Sequence, residues 1–118
     1  MSGSTLMAKD SVDPLIHKTY LEELAAAYVP AVIDRADPRV SPLFANLRGF
    51  TPALIQVGSA ETLLADATRF ATAAGTAGTA VTLEIWPHMI HAWHLWNAHL
   101  EAGRRALTSA GRFIRAHL

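Results

Sequence analysis

The stretch Trp86-Pro87-His88-Met89-Ile90-His91-Ala92-Trp93-His94 carries three histidines among aromatic residues. Upstream, the apolar run Ala53-Leu54-Ile55-Gln56-Val57-Gly58 ends just before Glu61. A carboxylate at one strand tip and an imidazole at the next are two parts of an acid–histidine–nucleophile system. There the acid orients the imidazole and the imidazole moves the nucleophile's proton. His91 is the candidate base and Glu61 the candidate acid, with Asp66 as the alternative acid. The nucleophile in its usual setting, a Gly-x-Ser-x-Gly elbow, is absent from these 118 residues, as is a His-Gly-Gly oxyanion segment. The nearest string, Leu107-Thr108-Ser109-Ala110-Gly111, lacks the first glycine and falls inside an amphipathic helical pattern. Ser59 sits on the element that supplies the acid and reads as a capping residue.

Spacing alone leaves plainer readings open. His91 also reads as a surface or satisfied-core histidine, and Glu61 as an ordinary first-turn helix acid. His88, His91 and His94 form an H-x-x-H-x-x-H pattern, but no carboxylate partner lies close in sequence to complete a zinc-type ligand set. We expect no metal and no cofactor.

The elements that would position these residues follow from local patterns. Residues 1–12 are small and polar and read as a loop. Asp13-Pro14 opens a helix, with Asp13 as N-cap and Pro14 at the first helical position. Ile16, Tyr20, Leu24, Ala27 and Tyr28 form its apolar face, and Pro30 ends it. Residues 34–49 hold Asp37-Pro38, Ser41-Pro42, Asn46 and Gly49, a turn-rich connection of the length that is usually functional or lies against something larger. Residues 52–58 form a strand apolar enough to be covered on both faces. Residues 61–77 form a helix with Leu63, Ala67, Phe70 and Ala74 on one stripe, and Gly78 as its C′ residue. Val81–Trp86 is a second strand, stopped by Pro87. A last helix covers about 100–117, with Leu107, Ala110, Phe113, Ile114 and Leu118 as its apolar positions. Strand, helix and strand in succession make a βαβ unit with parallel strands. A lone parallel pair is a poor domain, because its outer edges stay unpaired. The pattern is that of the end of a larger α/β sheet.

The composition limits the alternatives. Half the residues are hydrophobic (51%), and ten basic residues balance ten acidic ones, so neither nucleic acid nor an anionic membrane is implied as partner. There is no cysteine, which excludes disulfides, thiolate metal sites and cysteine nucleophiles and suits a reducing cytoplasm. The N-terminal residues lack the basic and apolar regions of a signal peptide, and no apolar run reaches the roughly 20 residues of a membrane span. The length allows one domain at most.

Taken in order, Asp13-Pro14, Tyr28, the segment Asp37-Pro38-Arg39-Val40-Ser41-Pro42-Leu43-Phe44, the run from Pro52 to Glu61, and Trp86-Pro87 through His91-Ala92-Trp93 resemble the C-terminal part of the hormone-sensitive-lipase-like α/β-hydrolases. These are bacterial carboxylesterases and lipases. The resemblance covers nearly the whole chain. It implies an α/β fold, with 1–118 a partial hydrolase domain: 1–50 a cap-side helix and loop, 51–118 the final βαβα unit. It puts His91 on the family's general base and Glu61 on its acid position, where Asp is more common, and leaves Asp66 in reserve. It also implies that Trp93 and Trp96 wall an acyl pocket beneath the cap, for a small acyl-ester substrate. The serine elbow, the oxyanion loop and the first six strands of the family have no counterpart here. The expectation is therefore a truncated or mis-started product, or one piece of a split enzyme, inactive alone until its N-terminal portion is supplied. The alternative is a non-catalytic remnant that self-associates through an exposed strand edge.

Overall fold

The computed structural model describes residues 13–118, so the loop reading of residues 1–12 lies outside it. In chain order the elements are α1 (Lys18–Tyr28), a 3-10 turn (Pro42–Phe44), β1 (Ala53–Gly58), α2 (Leu64–Thr76), β2 (Val81–Trp86), a second 3-10 turn (Trp93–Trp96) and α3 (Glu101–Ala116). The two strands are parallel and in register from Ala53 opposite Val81 to Gly58 opposite Trp86. They form a two-stranded sheet among the described residues, so each keeps an outer edge unpaired. α2 packs on both strands and α3 on β1. Among the described residues no helix is long and apolar enough to cross a membrane.

The strand limits follow from the chain's own punctuation. Pro52 precedes β1 and Pro87 follows β2, and each removes a backbone donor that a ladder would need. α2 ends in a Schellman motif. The Gly78 N–H donates to Gly75 O (3.0 Å) and the Thr79 N–H to Ala74 O (3.0 Å), with Gly78 at φ +93°. Only glycine adopts that conformation without a Cβ penalty. Thr79 then ties the strand entry to the long connection, its hydroxyl donating to Leu47 O (3.3 Å). That connection is built from Asx turns at Asp34, Asp37 and Asn46. Buried Ser41 braces it, donating to Arg35 O (2.7 Å).

Three expectations need correction. α1 begins at Lys18, not Pro14. Asp13 makes cap-like bonds, accepting the Leu15 and Ile16 N–H groups on Oδ1 (3.0 and 3.2 Å). Its Oδ2 accepts the Thr62 N–H (3.2 Å), so Asp13 is tied to the acid turn, and the chain bends at Pro14 and Leu15 before α1 starts after His17. The buried residue of α1 is Leu21, while Tyr20 and Leu24 are about half exposed and Tyr28 is 79% exposed. On α3 the buried positions are Gly103 and Ala106, whereas Leu107 and Ile114 are about half exposed and Leu118 fully so. The cause is close approach. A Cβ on Gly103 would lie 3.0 Å from the Asn97 Cα, so this face admits only small residues.

Candidate active site

The site is assembled from two tips of the sheet. After β1 the chain turns sharply, with the Glu61 N–H donating to Gly58 O (3.2 Å). Glu61 is buried, and its carboxylate folds back so that Oε2 accepts the Gly58 N–H (3.1 Å). Oε1 is left facing His91 Nδ1 at 2.6 Å. Beyond the acid, Thr62 is fully buried and held twice: its N–H by Asp13, and its hydroxyl by donation to Ile16 O (2.9 Å). The acid is thus fixed at its own turn and from behind.

The histidine loop leaves β2 at Pro87 and is latched to the acid turn. Ser59 Oγ accepts the His88 N–H (2.8 Å), and the Ala60 N–H donates to Met89 O (3.1 Å). The approach is so close that a Cβ on Gly58 would lie 1.9 Å from Met89 O. Two non-glycine residues of this loop take positive φ, His88 (61°) and Ala92 (54°). The left-handed Ala92 turns the chain directly after His91 into the second 3-10 turn. Trp93 then plunges inward, 1% exposed, its ring 6.0 Å from Trp86 and 4.0 Å from the His94 ring. This anchor carries the loop.

The electrostatics of the pair follow from that geometry. A carboxylate only accepts, so His91 donates from Nδ1, and in the neutral imidazole this leaves the lone pair on Nε2. The His91 side chain is 35% exposed and Glu61 only 8%, which leaves an accessible imidazole over a shielded acid. Behind them lies a second polar cluster. Glu84, opposite Gln56 in the sheet, accepts from Ser109 Oγ, from Gln56 Nε2 (2.8 Å) and from Trp86 Nε1 (3.1 Å). Burial pushes the Glu84 carboxyl upward, but these three hydrogen bonds outweigh it and hold the group below the usual range. His94 Nε2 lies 2.9 Å from Gln56 Oε1. Burial lowers the His94 pKa, against a smaller upward pull from the Glu61 charge.

Glu61 and His91 are therefore brought together, on neighbouring strand tips. Asp66 lies in the first turn of α2, beside Val40, Ser41, Pro42 and Phe70, and the acid that meets His91 is Glu61. Trp93 is enclosed within the chain, while Trp96 is 42% exposed. Ser109 is in the middle of α3 and is spent on Glu84. His91 and His94 turn to different partners, and among the described residues no three His, Asp or Glu side chains converge as a metal site. Sequence reasoning missed Thr62, Gln56 and Glu84, and read Asp13 only as a helix cap. A signal existed for Gln56: one amide inside an otherwise apolar strand must find partners once buried.

A family profile of the α/β-hydrolase fold matches residues 2–95, and the chain belongs to that family. Over 113 residues it is 41% identical to an acetyl-hydrolase of Streptomyces hygroscopicus and 33% identical to an esterase of Acinetobacter venetianus. These alignments cover 96% of this chain but 38% and 37% of the relatives. A hormone-sensitive lipase from a metagenome library superposes with a TM-score of 0.92 at 34% identity, covering 97% of this chain and 39% of that one. An esterase of the bacterial hormone-sensitive lipase family gives 0.93 at 35% identity, covering 98% and 39%. The chain thus spans under two-fifths of the length of the relatives it matches, and it fits a C-terminal segment of a hormone-sensitive-lipase-like hydrolase.

Proposed function

We propose that this chain supplies the general base and its orienting acid to a serine carboxylic ester hydrolase. The supporting observation is the 2.6 Å contact between buried Glu61 and the accessible imidazole of His91. In this reading a serine hydroxyl, carried by polypeptide outside these 118 residues, attacks the ester carbonyl. His91 Nε2 takes the hydroxyl proton and returns it to the departing alkoxide, and then repeats both steps for water on the acyl-enzyme. Glu61 holds the tautomer and stabilises the imidazolium that forms. Trp96 offers an exposed apolar wall for a small acyl group, and Trp93 supports the loop from within. The donors that stabilise the tetrahedral oxyanion come from the same outside polypeptide as the serine. The chain alone does not turn over esters at an appreciable rate.

The test is hydrolysis of p-nitrophenyl butyrate by the chain expressed together with a segment bearing the Gly-x-Ser-x-Gly elbow. Activity should appear only with both parts, and His91→Ala should lower kcat by about 1,000-fold or more. No hydrolysis by the completed protein, or hydrolysis indifferent to His91→Ala, would overturn the reading. The unpaired outer edges of the two-stranded sheet support a second reading, a remnant that self-associates by strand pairing. That reading predicts oligomers on size-exclusion chromatography, and a stable monomer contradicts it.

A further inference from the structure

A second histidine of the loop, outside the Glu61–His91 pair, also has a hydrogen-bond partner on β1. His94 reaches back under the loop to Gln56 in the body of β1. The Gln56 amide also donates from Nε2 to Glu84 Oε2 (2.8 Å) and to Ala106 O on α3 (2.9 Å). Both of those partners can only accept, so the amide nitrogen is on their side and Oε1 faces His94. His94 must then donate from Nε2, which fixes its tautomer. Glu84 is anchored in turn by Ser109 and Trp86. The result is an unbroken line of hydrogen bonds from α3 through both strands into the histidine loop.

The location of this line gives it a role. The entry half of the loop is fastened to the acid turn at His88 and Met89, and His94 fastens the exit half. His91 lies midway between the two fastenings. It is followed by left-handed Ala92, a conformation that non-glycine residues hold only when their surroundings enforce it. Released at His94, the loop loses a polar attachment between its exit half and β1, and the His91 ring loses part of what keeps Nδ1 on Glu61.

We propose that Gln56 and His94 form a positioning latch for His91, anchored by Glu84 and Ser109. The functional consequence rests on the hydrolase reading above. The latch itself is a statement about the Glu61–His91 bond, and it can be tested without any substrate.

The experiment follows the His91 Nδ1 proton by NMR in the full 118-residue chain, with circular dichroism to confirm the fold. His94→Phe keeps a ring on Trp93 and deletes the donor. His94→Gln deletes the ring and keeps an amide N–H of similar reach. The latch predicts that His94→Phe and Gln56→Met each speed solvent exchange of that proton by about five- to tenfold, the effect of one net hydrogen bond. The double variant should be no faster than either single one. His94→Gln should restore most of the protection. Should His94→Phe fail to fold, Gln56→Met reads the same bond from its other end. Unchanged exchange in folded variants, additive effects in the double variant, or protection kept by Phe and lost with Gln would each overturn the latch. If the completed protein hydrolyses no ester while this exchange pattern holds, the hydrolase reading falls and the latch stands.

Discussion

Gly58→Ala is the sharpest perturbation the structure offers, because it adds one methyl at the place where the two halves of the site meet. The added carbon would lie 1.9 Å from Met89 O, 2.5 Å from Met89 C and 3.2 Å from Ile90 N. All three are backbone atoms, so no side chain can swing aside. Relief requires the histidine loop to retreat from the strand tip by about 1 Å or more. Such a shift breaks the Ala60 N–H bond to Met89 O and strains the His88 N–H bond to Ser59 Oγ. Two hydrogen bonds at about 1 kcal/mol each, with about 1–3 kcal/mol of overpacking, give a loss of about 3–5 kcal/mol. That is a large share of the roughly 5–15 kcal/mol that stabilises a typical domain. The same retreat lengthens the 2.6 Å contact between His91 Nδ1 and Glu61 and exposes its proton to solvent. Urea denaturation followed by circular dichroism measures the first effect, and NMR detection of the His91 Nδ1 proton the second. Gly75→Ala, in α2 with nothing within 4 Å of its Cβ, is the control and should stabilise by up to about 1 kcal/mol. A folded Gly58→Ala chain within about 0.5 kcal/mol of the parent, with the proton still protected, would refute the reasoning.

Two further outcomes follow from the same geometry. Ala92→Gly relieves a left-handed alanine (φ 54°, ψ 31°) and should raise stability by up to about 1 kcal/mol in thermal denaturation, whereas a lower Tm would show that Ala92 is unstrained. The folded-state pKa of His94 lies below its ordinary 6.5, so the folded chain binds this proton less readily than the unfolded one. Its contribution is therefore full above pH 6.5 and is lost as the pH falls from there toward the folded value. The stability difference between the parent and His94→Gln, measured by urea denaturation, should shift against the parent over that window. A shift in the parent's favour would contradict the assignment.

How much of this was readable from residues alone depended on the range of the interactions. β2 and its stop at Pro87 are local, and Val81–Trp86 folds as its alternation implies. The C′ glycine of α2 is equally local, since only glycine tolerates the φ that the motif requires. The meeting of Glu61 and His91 was accessible because both sit just beyond parallel strands whose tips must be neighbours. The start of α1 was not accessible. Asp13 carries a true capping signature, and a bond to Thr62, 49 residues away, changes what that signature does. The buried face of α3 was hidden for a related reason. The large apolar residues Leu107 and Ile114 mark an amphipathic helix, but the depth of its approach is set by Gly103 and Ala106, which carry little hydrophobic signal. The pairing of Gln56 with Glu84 depends on sheet register, which neither strand specifies by itself.

The proposed catalysis depends on which carboxylate serves His91. The direct measurement is kcat/KM for p-nitrophenyl butyrate in the completed protein, with Glu61→Gln set beside Asp66→Asn. Glu61→Gln should lower it by about 10,000-fold, as expected when the orienting acid can no longer fix the tautomer, and Asp66→Asn should leave it within about twofold of the parent. A large loss with Asp66→Asn and near-normal turnover with Glu61→Gln would contradict the assignment of Glu61 as the acid.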